Sequence, residues 1–368
     1  MTARFISSPR FAARGYGRNH PLAIPRVALA ERLIECCGLL AEGEYLEART
    51  ASEAELSAFH EPGYVAAVRR AEDERQVAPA DRERYALGVL ENPWFADVFT
   101  RPATAAGGSL QAAEEALAGR RAFNPAGGMH HARPGRAQGF CYFNDNALAV
   151  LRLRAAGLRV LYVDLDAHYP DGVAEALRAD PEVLVLSLHM DTGYAYPFAG
   201  GALEDPDAVN LPLPRGANDA EYLLAFEAVW PRALARFAPD AVVLQAGTDA
   251  IARDPLGKLA VTTQGFLAAV ARVAEDAPRL LATGGGGYHP LLVARAWAGV
   301  WALLAERALP ASMPPVGAAL LREVHWEHED DQVAPWMFES FSDPPGPAAI
   351  RAEVKTLARA AARHPRLA

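Results

Sequence analysis

The chain has 368 residues, 51% of them hydrophobic and 22% charged, which suits a protein with a large buried core and excludes a disordered chain. Its 36 basic and 45 acidic residues give a net charge of −9, which argues against nucleic acid as a partner. Three cysteines cannot form a disulfide framework, and the N-terminus has no apolar segment typical of a secretory signal. We therefore expect a cytoplasmic protein.

The predicted elements begin with two segments of helical spacing, residues 26–40 and 102–118. From residue 159 onward, short leucine- and valine-rich segments alternate with longer helical ones. The predicted strands are 159–163, 183–188, 241–245 and 279–283, and the helices between them include 221–237 and 264–274. This alternation predicts a mostly parallel sheet with helices on both faces, a three-layer α/β fold. No flexible linker interrupts the chain, so we expect one domain, 1–368.

The longest apolar segment covers residues 296–305 and is far shorter than the ~18 residues of a membrane span. It predicts a buried helix, and we expect no membrane partner.

Polar side chains follow the predicted strands. Asp164, Asp166 and His168 come after the first, Asp249 comes after the third, and four glycines and Tyr288 come after the fourth. Parallel strands bring their carboxyl ends to one edge of the sheet, where ligands bind. If the strand continues, side-chain alternation places Asp164, Asp166 and His168 on one face.

A cluster of buried carboxylates requires a cation, because the charges would otherwise repel each other and lose hydration. Asp166, His168 and Asp249 form a three-ligand set of the kind that holds catalytic zinc and leaves positions open for water and substrate. Oxygen-rich ligation would also admit Fe(II) or Mn(II).

Two adjacent histidines, His130 and His131, lie in an upstream loop and suit acid and base catalysis. Asp164 and Asp171 are candidate partners that would fix the tautomers of these rings. The hydroxyl of Tyr288 is a candidate hydrogen-bond donor to an oxyanion.

These segments, in this order, strongly resemble the zinc-dependent histone deacetylase family, in particular its bacterial acetoin-utilisation proteins. The resemblance rests on HPLAIPR (20–26), FHEPGYV (59–65), LENPWF (90–95), AFNPAGGMHHA (122–132), GFCYFNDNALA (139–149), DLDAHYPDG (164–172), LSLH (186–189), GTDAIARDPLG (247–257) and GGGGY (284–288). It implies the arginase/deacetylase fold, with an eight-stranded, mostly parallel sheet.

The resemblance also implies roles for individual residues. The zinc ligands would be Asp166, His168 and Asp249, and His131 would be the general base. Asp164 would back His130, Asp171 would back His131, and Tyr288 would polarise the scissile carbonyl. The acyl-lysine tunnel would be formed by Gly139, Phe140 and Tyr196, with Leu256 near its mouth, Arg26 near its floor and Glu91 as the rim acid. A structural potassium ion would be held by Asp164, Asp166, His168, Ser187 and Leu188.

The implied function is a zinc-dependent deacylase that hydrolyses acetyl-lysine, or a related acyl-lysine, in proteins. The alternative is an amidohydrolase of acetylpolyamines or other small amides. Ala250 and Ile251 argue against a binuclear manganese ureohydrolase, which needs further carboxylates, and Tyr288 argues against a non-catalytic acyl-ligand sensor. Tyr169, Pro170 and Phe198 depart from the family pattern beside the pocket, so they bear on tunnel shape and substrate range.

Overall fold

The computed structural model describes residues 3–13, 15–17, 19–326 and 333–368. Within them, eight strands form one sheet in the order β2-β1-β3-β8-β7-β4-β5-β6. All of the pairings in this sheet are parallel. The strands are β1 (Ala3–Ser7), β2 (Tyr45–Glu47), β3 (Arg121–Asn124), β4 (Val160–Asp164), β5 (Val183–Met190), β6 (Ala208–Leu213), β7 (Ala241–Gln245) and β8 (Leu280–Thr283).

Helices cover both faces of the sheet. They are α1 (Arg26–Cys36), α2 (Glu53–Leu56), α3 (Pro62–Asp73), α4 (Pro79–Tyr85), α5 (Thr100–Leu117), α6 (Asp145–Ala155), α7 (Asp171–Leu177), α8 (Asp219–Arg232), α9 (Thr263–Asp276), α10 (Pro290–Leu304), α11 (Pro315–Arg322) and α12 (Ala352–Ala361). The predicted three-layer α/β fold is confirmed, and the sheet is parallel throughout.

Alternating side chains of the strands supply two separate cores. In β4, Leu161 and Val163 pack with α1, α8, α9 and α10, whereas Val160 and Tyr162 pack with α5, α6 and α7. Both faces are therefore buried, which explains why β4 is a continuous apolar segment in the sequence.

Two predicted helices end earlier than expected. The first predicted helix extends to residue 40, but α1 ends at Cys36, because Gly38 takes a φ of +69° and the Leu39 N–H closes the helix on the Ile34 carbonyl. The helix predicted over 221–237 is α8 followed by a π-helical turn, Ala233–Phe237, which begins two residues after Pro231.

The apolar segment 296–305 lies in α10 up to Leu304, with Ala305 as the C-cap, and most of its side chains are buried, as predicted. Among the helices of the described residues, none combines the length and the apolar character that crossing a membrane requires.

The carboxyl ends of β3, β4, β7 and β8 meet at one edge of the sheet. The loops that follow these strands carry the residues that the sequence singled out. β4 ends at Asp164, so Asp166 and His168 lie in the loop after the strand. The expectation that the strand continues through His168 is wrong, and the loop conformation brings these two side chains together instead.

Candidate active site

Asp166, His168 and Asp249 form a group that we call the triad. The His168 Nδ1 atom lies 3.1 Å from Asp166 Oδ1 and 3.0 Å from Asp249 Oδ2. One donor atom from each residue lies within 4.8 Å of the others, and all three residues are buried. The structure therefore brings these residues, which come from loops after two different strands, around one point.

Main-chain N–H groups fix the two carboxylates. Asp166 Oδ1 accepts from the His168 N–H at 2.9 Å, and its Oδ2 accepts from the Gly286 N–H at 2.7 Å. Asp249 Oδ1 accepts from the Ala167 N–H at 2.8 Å. The loops after β4, β7 and β8 are thus joined through the triad itself.

The donor set of the triad fits a divalent cation. Asp166 and Asp249 are fully buried, and no lysine or arginine of the described residues pairs with either carboxylate. Burial alone would lower the pKa of His168, but the charges of Asp249 and Asp166 raise it well above its usual value. This field attracts positive charge, which a metal ion can supply at the same three donor atoms.

The tandem histidines lie beside the triad, and each contacts a different carboxylate. His130 Nδ1 lies 2.9 Å from Asp164 Oδ2, and His131 Nδ1 lies 2.7 Å from Asp171 Oδ1. The two Nε2 atoms face each other at 3.0 Å. Asp164 and Asp171 thus lie against the rings with which the family resemblance paired them.

The two histidines differ in proton affinity. Burial lowers the pKa of His130, but the charges of Asp164 and Asp166 outweigh it and raise that pKa to about 9. Burial and the charge of His130 lower the pKa of His131 to about 4. With Nδ1 donating to Asp171, a neutral His131 presents an accepting Nε2, which is the form that a general base needs.

Tyr288 reaches the site at the end of the glycine segment. Its N–H donates to Asp254 Oδ2 at 2.7 Å, and its ring centroid lies 6.0 Å from that of Phe140. Burial and the charges of Asp249 and Asp166 raise the pKa of its hydroxyl well above its usual value, so the hydroxyl keeps its proton and can donate it in a hydrogen bond.

A cavity of about 340 Å³, which we call the substrate cavity, leads from the surface to the triad. His168, His131 and Tyr288 lie at its inner end. It also contains the residues that the resemblance assigned to the tunnel, the mouth and the rim: Gly139, Phe140, Tyr196, Leu256 and Glu91. Glu91, the predicted rim acid, also contacts the cavity wall. Its Oε1 accepts from the Gly139 N–H at 2.8 Å and so supports that wall.

Arg26 does not line the substrate cavity. It lines a separate inner cavity of about 50 Å³, and its Nη1 donates to the carbonyls of Gly285 and Gly287 at 2.5 and 3.2 Å. Through these two hydrogen bonds the guanidinium supports the main chain of the glycine segment.

The residues that depart from the family pattern separate into two groups. Phe198 lines the mouth of the substrate cavity and is 67% exposed. Tyr169 lies in an adjoining groove, with its ring 5.0 Å from that of His189, and Pro170 precedes α7. Only Phe198 therefore shapes the substrate cavity directly.

Two residues of the site were not identified from the sequence. Gln245 ends β7, and its Nε2 donates to Asp166 Oδ2 at 2.9 Å. Asp254 accepts from the N–H groups of Tyr288, Leu256 and Gly257. The signal for Gln245 was its place at the end of a predicted strand, and that for Asp254 was its place inside the GTDAIARDPLG segment.

Comparison with known proteins agrees with this geometry. The model of the histone deacetylase domain matches residues 20–304. Histone deacetylase 8 of Xenopus tropicalis is 36% identical over 297 residues, which cover 78% of this chain and 80% of that protein. Acetoin utilization protein AcuC of Bacillus subtilis is 33% identical over 320 residues, which cover 81% of this chain and 80% of that protein.

Solved structures agree as well. The crystal structure of an HDAC homolog from Aquifex aeolicus is 39% identical, covers 98% of this chain and 100% of its own, and has a TM-score of 0.94. A structure of an HDAC homolog complexed with SAHA matches equally well, with the same TM-score of 0.94. The chain therefore belongs to the histone deacetylase family of the arginase/deacetylase superfamily, and it is a metal-dependent hydrolytic deacetylase.

Proposed function

We propose that this enzyme hydrolyses the amide of acetyl-lysine, or of a related acyl-lysine, in proteins. The observation that carries this proposal is the substrate cavity, which is lined by Phe140 and Tyr196 as well as by His131, His168 and Tyr288. A cavity walled by aromatic rings suits the apolar stem of a lysine side chain, and its inner end holds the groups that amide hydrolysis needs.

The triad would hold zinc, with Fe(II) as the alternative. A divalent ion at these donors supplies a Lewis acid that polarises the amide carbonyl and lowers the pKa of a water molecule. His131 accepts the proton of the attacking water, because Asp171 holds its Nδ1 and leaves Nε2 as the accepting nitrogen. The tandem histidines then return a proton to the leaving amine, while the Tyr288 hydroxyl donates to the oxyanion.

We also propose a structural potassium ion at Asp164, Asp166, His168, Ser187 and Leu188. The pairing of Asp164 with Ser187 between β4 and β5 supports this site, since it places a carboxylate and a hydroxyl side by side. Replacing KCl by NaCl should then lower the melting temperature of the protein. An equal melting temperature in both salts would exclude the site.

The three cysteines are free thiols, which supports a reducing compartment. We propose the cytoplasm, where thiols stay reduced.

The test compares an acetyl-lysine peptide with an acetylpolyamine, using enzyme loaded with zinc or with Fe(II) and with its metal content measured. We expect hydrolysis of the peptide, a loss of about 10²–10³ in kcat for Tyr288→Phe, and loss of metal and activity together for Asp166→Asn. Extending the peptides to longer acyl groups would identify the preferred acyl chain. Hydrolysis confined to the acetylpolyamine would overturn the assignment to proteins in favour of small amides.

A further inference from the structure

The mouth of the substrate cavity carries two cations, Arg215 and Lys258, that form no ion pair with any of the described residues. We propose that Arg215 and Lys258 bind carboxylates next to the acyl-lysine, so that the preferred substrates are protein segments in which acidic residues flank the modified lysine. This inference rests on the proposed function and specifies its substrate class.

Arg215 and Lys258 both line the substrate cavity and are exposed. Within the part of the chain that the structure describes, the Arg215 guanidinium has neither a hydrogen bond nor an ion pair. The Lys258 ammonium donates to the Pro255 carbonyl at 2.8 Å and forms no ion pair there. Both cations are therefore available to a ligand at the mouth.

The main chain fixes these two residues beside each other. The Gly216 N–H, next to Arg215, donates to the Lys258 carbonyl at 2.8 Å. The Arg215 carbonyl accepts from Arg351 Nη1 at 3.0 Å, and Arg351 is itself held by the buried carboxylate of Glu221 at 2.6 Å. The positions of the two cations are therefore set by the fold, whereas their charged ends form no ion pair among the described residues.

Hydrogen bonds within the protein orient the acids near the mouth, although these carboxylates keep their charge. Among the described residues that line the substrate cavity, Glu91 is the one acid, and it accepts from the Gly139 N–H and faces the Tyr196 hydroxyl. Asp191, close by, accepts from the Gly193 N–H at 2.8 Å.

With two cations and one acid, the described lining of the substrate cavity thus has a small positive balance, opposite in sign to the net charge of −9 of the whole protein. An aspartate or glutamate next to the acyl-lysine of a substrate could form ion pairs with Arg215 and Lys258 at the mouth. A polyamine carries several positive charges and would be repelled there, so the same feature argues against acetylpolyamines as substrates.

The experiment measures kcat/KM for acetyl-lysine peptides that differ only in the residues flanking the lysine, which are aspartate, asparagine or lysine. At low ionic strength we expect the aspartate peptide to exceed the asparagine peptide by about three- to tenfold, and the lysine peptide to be the poorest. The preference should shrink at about 0.5 M salt, because exposed charges are then screened.

Variants distinguish the effect of the two cations at the mouth from the effect of the net charge of the protein. The double variant R215Q/K258Q should lose the preference for aspartate. The matched control K355Q/R359Q removes the same charge from a cleft between α8 and α12 and should keep the preference. Equal rates for all three peptides, or a preference that survives R215Q/K258Q, would overturn the inference while leaving the proposed function intact. Failure to cleave any acetyl-lysine peptide would overturn the proposed function, and the inference with it.

Discussion

Gly286 lies so close to the triad that a methyl group in its place would overlap both carboxylates. A Cβ atom there would lie 2.0 Å from Asp249 Oδ2 and 2.8 Å from Asp166 Oδ2. The Gly286 N–H also donates to Asp166 Oδ2. Glycine at this position therefore lets the main chain approach and orient the metal-binding oxygens.

We predict that Gly286→Ala weakens zinc binding at least tenfold, since displaced supporting groups typically cost about 10- to 100-fold in metal affinity. A competition titration against a chelator measures the dissociation constant. Gly17→Ala serves as the control, because a Cβ at Gly17 meets nothing within 4 Å. An unchanged dissociation constant for Gly286→Ala would show that the loop moves away without cost.

Asp254 is a positioning residue for Tyr288. Its Oδ2 accepts from the Tyr288 N–H at 2.7 Å, and its Oδ1 accepts from the Leu256 and Gly257 N–H groups at 2.9 and 3.0 Å. An asparagine has only one accepting oxygen, so its amide NH₂ would oppose one of these donors.

Asp254→Asn should therefore lower kcat by about tenfold, a part of the loss expected when an oxyanion donor is removed. The decisive measurement is a double-mutant cycle with Tyr288→Phe. If Asp254 acts through the Tyr288 hydroxyl, Asp254→Asn has little further effect once that hydroxyl is gone. Fully additive losses would assign Asp254 a purely structural role.

At the scale of elements, the sequence predicted the strands that are buried on both faces. The segment 241–245 coincides with β7, and 159–163 differs from β4 by one residue at each end. β1, β2, β3 and β6 were not identified, and of these β3 has only four residues and begins with Arg121. β2 and β6 are edge strands, and β6 contains Asn210 and Pro212, so their patterns are short or mixed.

The candidate site shows the same division. The triad could be predicted because the ends of parallel strands must share an edge of the sheet. The support from Gly286 and Asp254 could not, because it depends on contacts between loops that are 34 or more residues apart in sequence. The departure of Asp166 and His168 from strand geometry is likewise a property of the folded loop.

His60 joins two elements through both of its ring nitrogens. Nδ1 lies 3.1 and 3.2 Å from the carbonyls of Arg133 and Pro134, and Nε2 accepts from the Asn144 N–H at 2.9 Å, next to the start of α6. A second proton on Nε2 would oppose that N–H. Burial accordingly lowers the pKa of His60 to about 4.

The lowered pKa of His60 makes the folded protein less stable in acid. Between pH 6.5 and about 4 the unfolded chain binds the His60 proton and the folded chain does not, so stability decreases as pH falls through that window. The loss from His60 alone amounts to about 3 kcal/mol. Glutamine can donate and accept at the same positions without titrating.

We therefore expect His60→Gln to flatten the pH dependence of the free energy of unfolding between pH 6.5 and about 4, as measured by urea denaturation. Leu90→Gln, at a side chain that is 96% exposed, provides a control that should keep the wild-type slope. A His60→Gln variant with the wild-type slope would assign the acid sensitivity to other groups.

At the scale of the whole molecule, segments near both ends of the chain are bound to segments from its middle. β1, at residues 3–7, pairs with β3 and β2, and the order of strands interleaves early and late segments, with β3 beside β8. Near the other end, Arg351 precedes α12 and is bound to the buried carboxylate of Glu221 in α8. Neither end can leave without exposing part of the core.

We therefore propose that residues 1–368 form one domain that unfolds as a unit. Differential scanning calorimetry should show a single transition whose calorimetric and van't Hoff enthalpies agree. Zinc at about 100 times its dissociation constant should stabilise the folded protein by about 2.7 kcal/mol. Because the triad joins the loops after β4, β7 and β8, this stabilisation should move the whole transition upward in temperature. Two resolved transitions, with only one of them shifted by zinc, would instead divide the chain into separate domains.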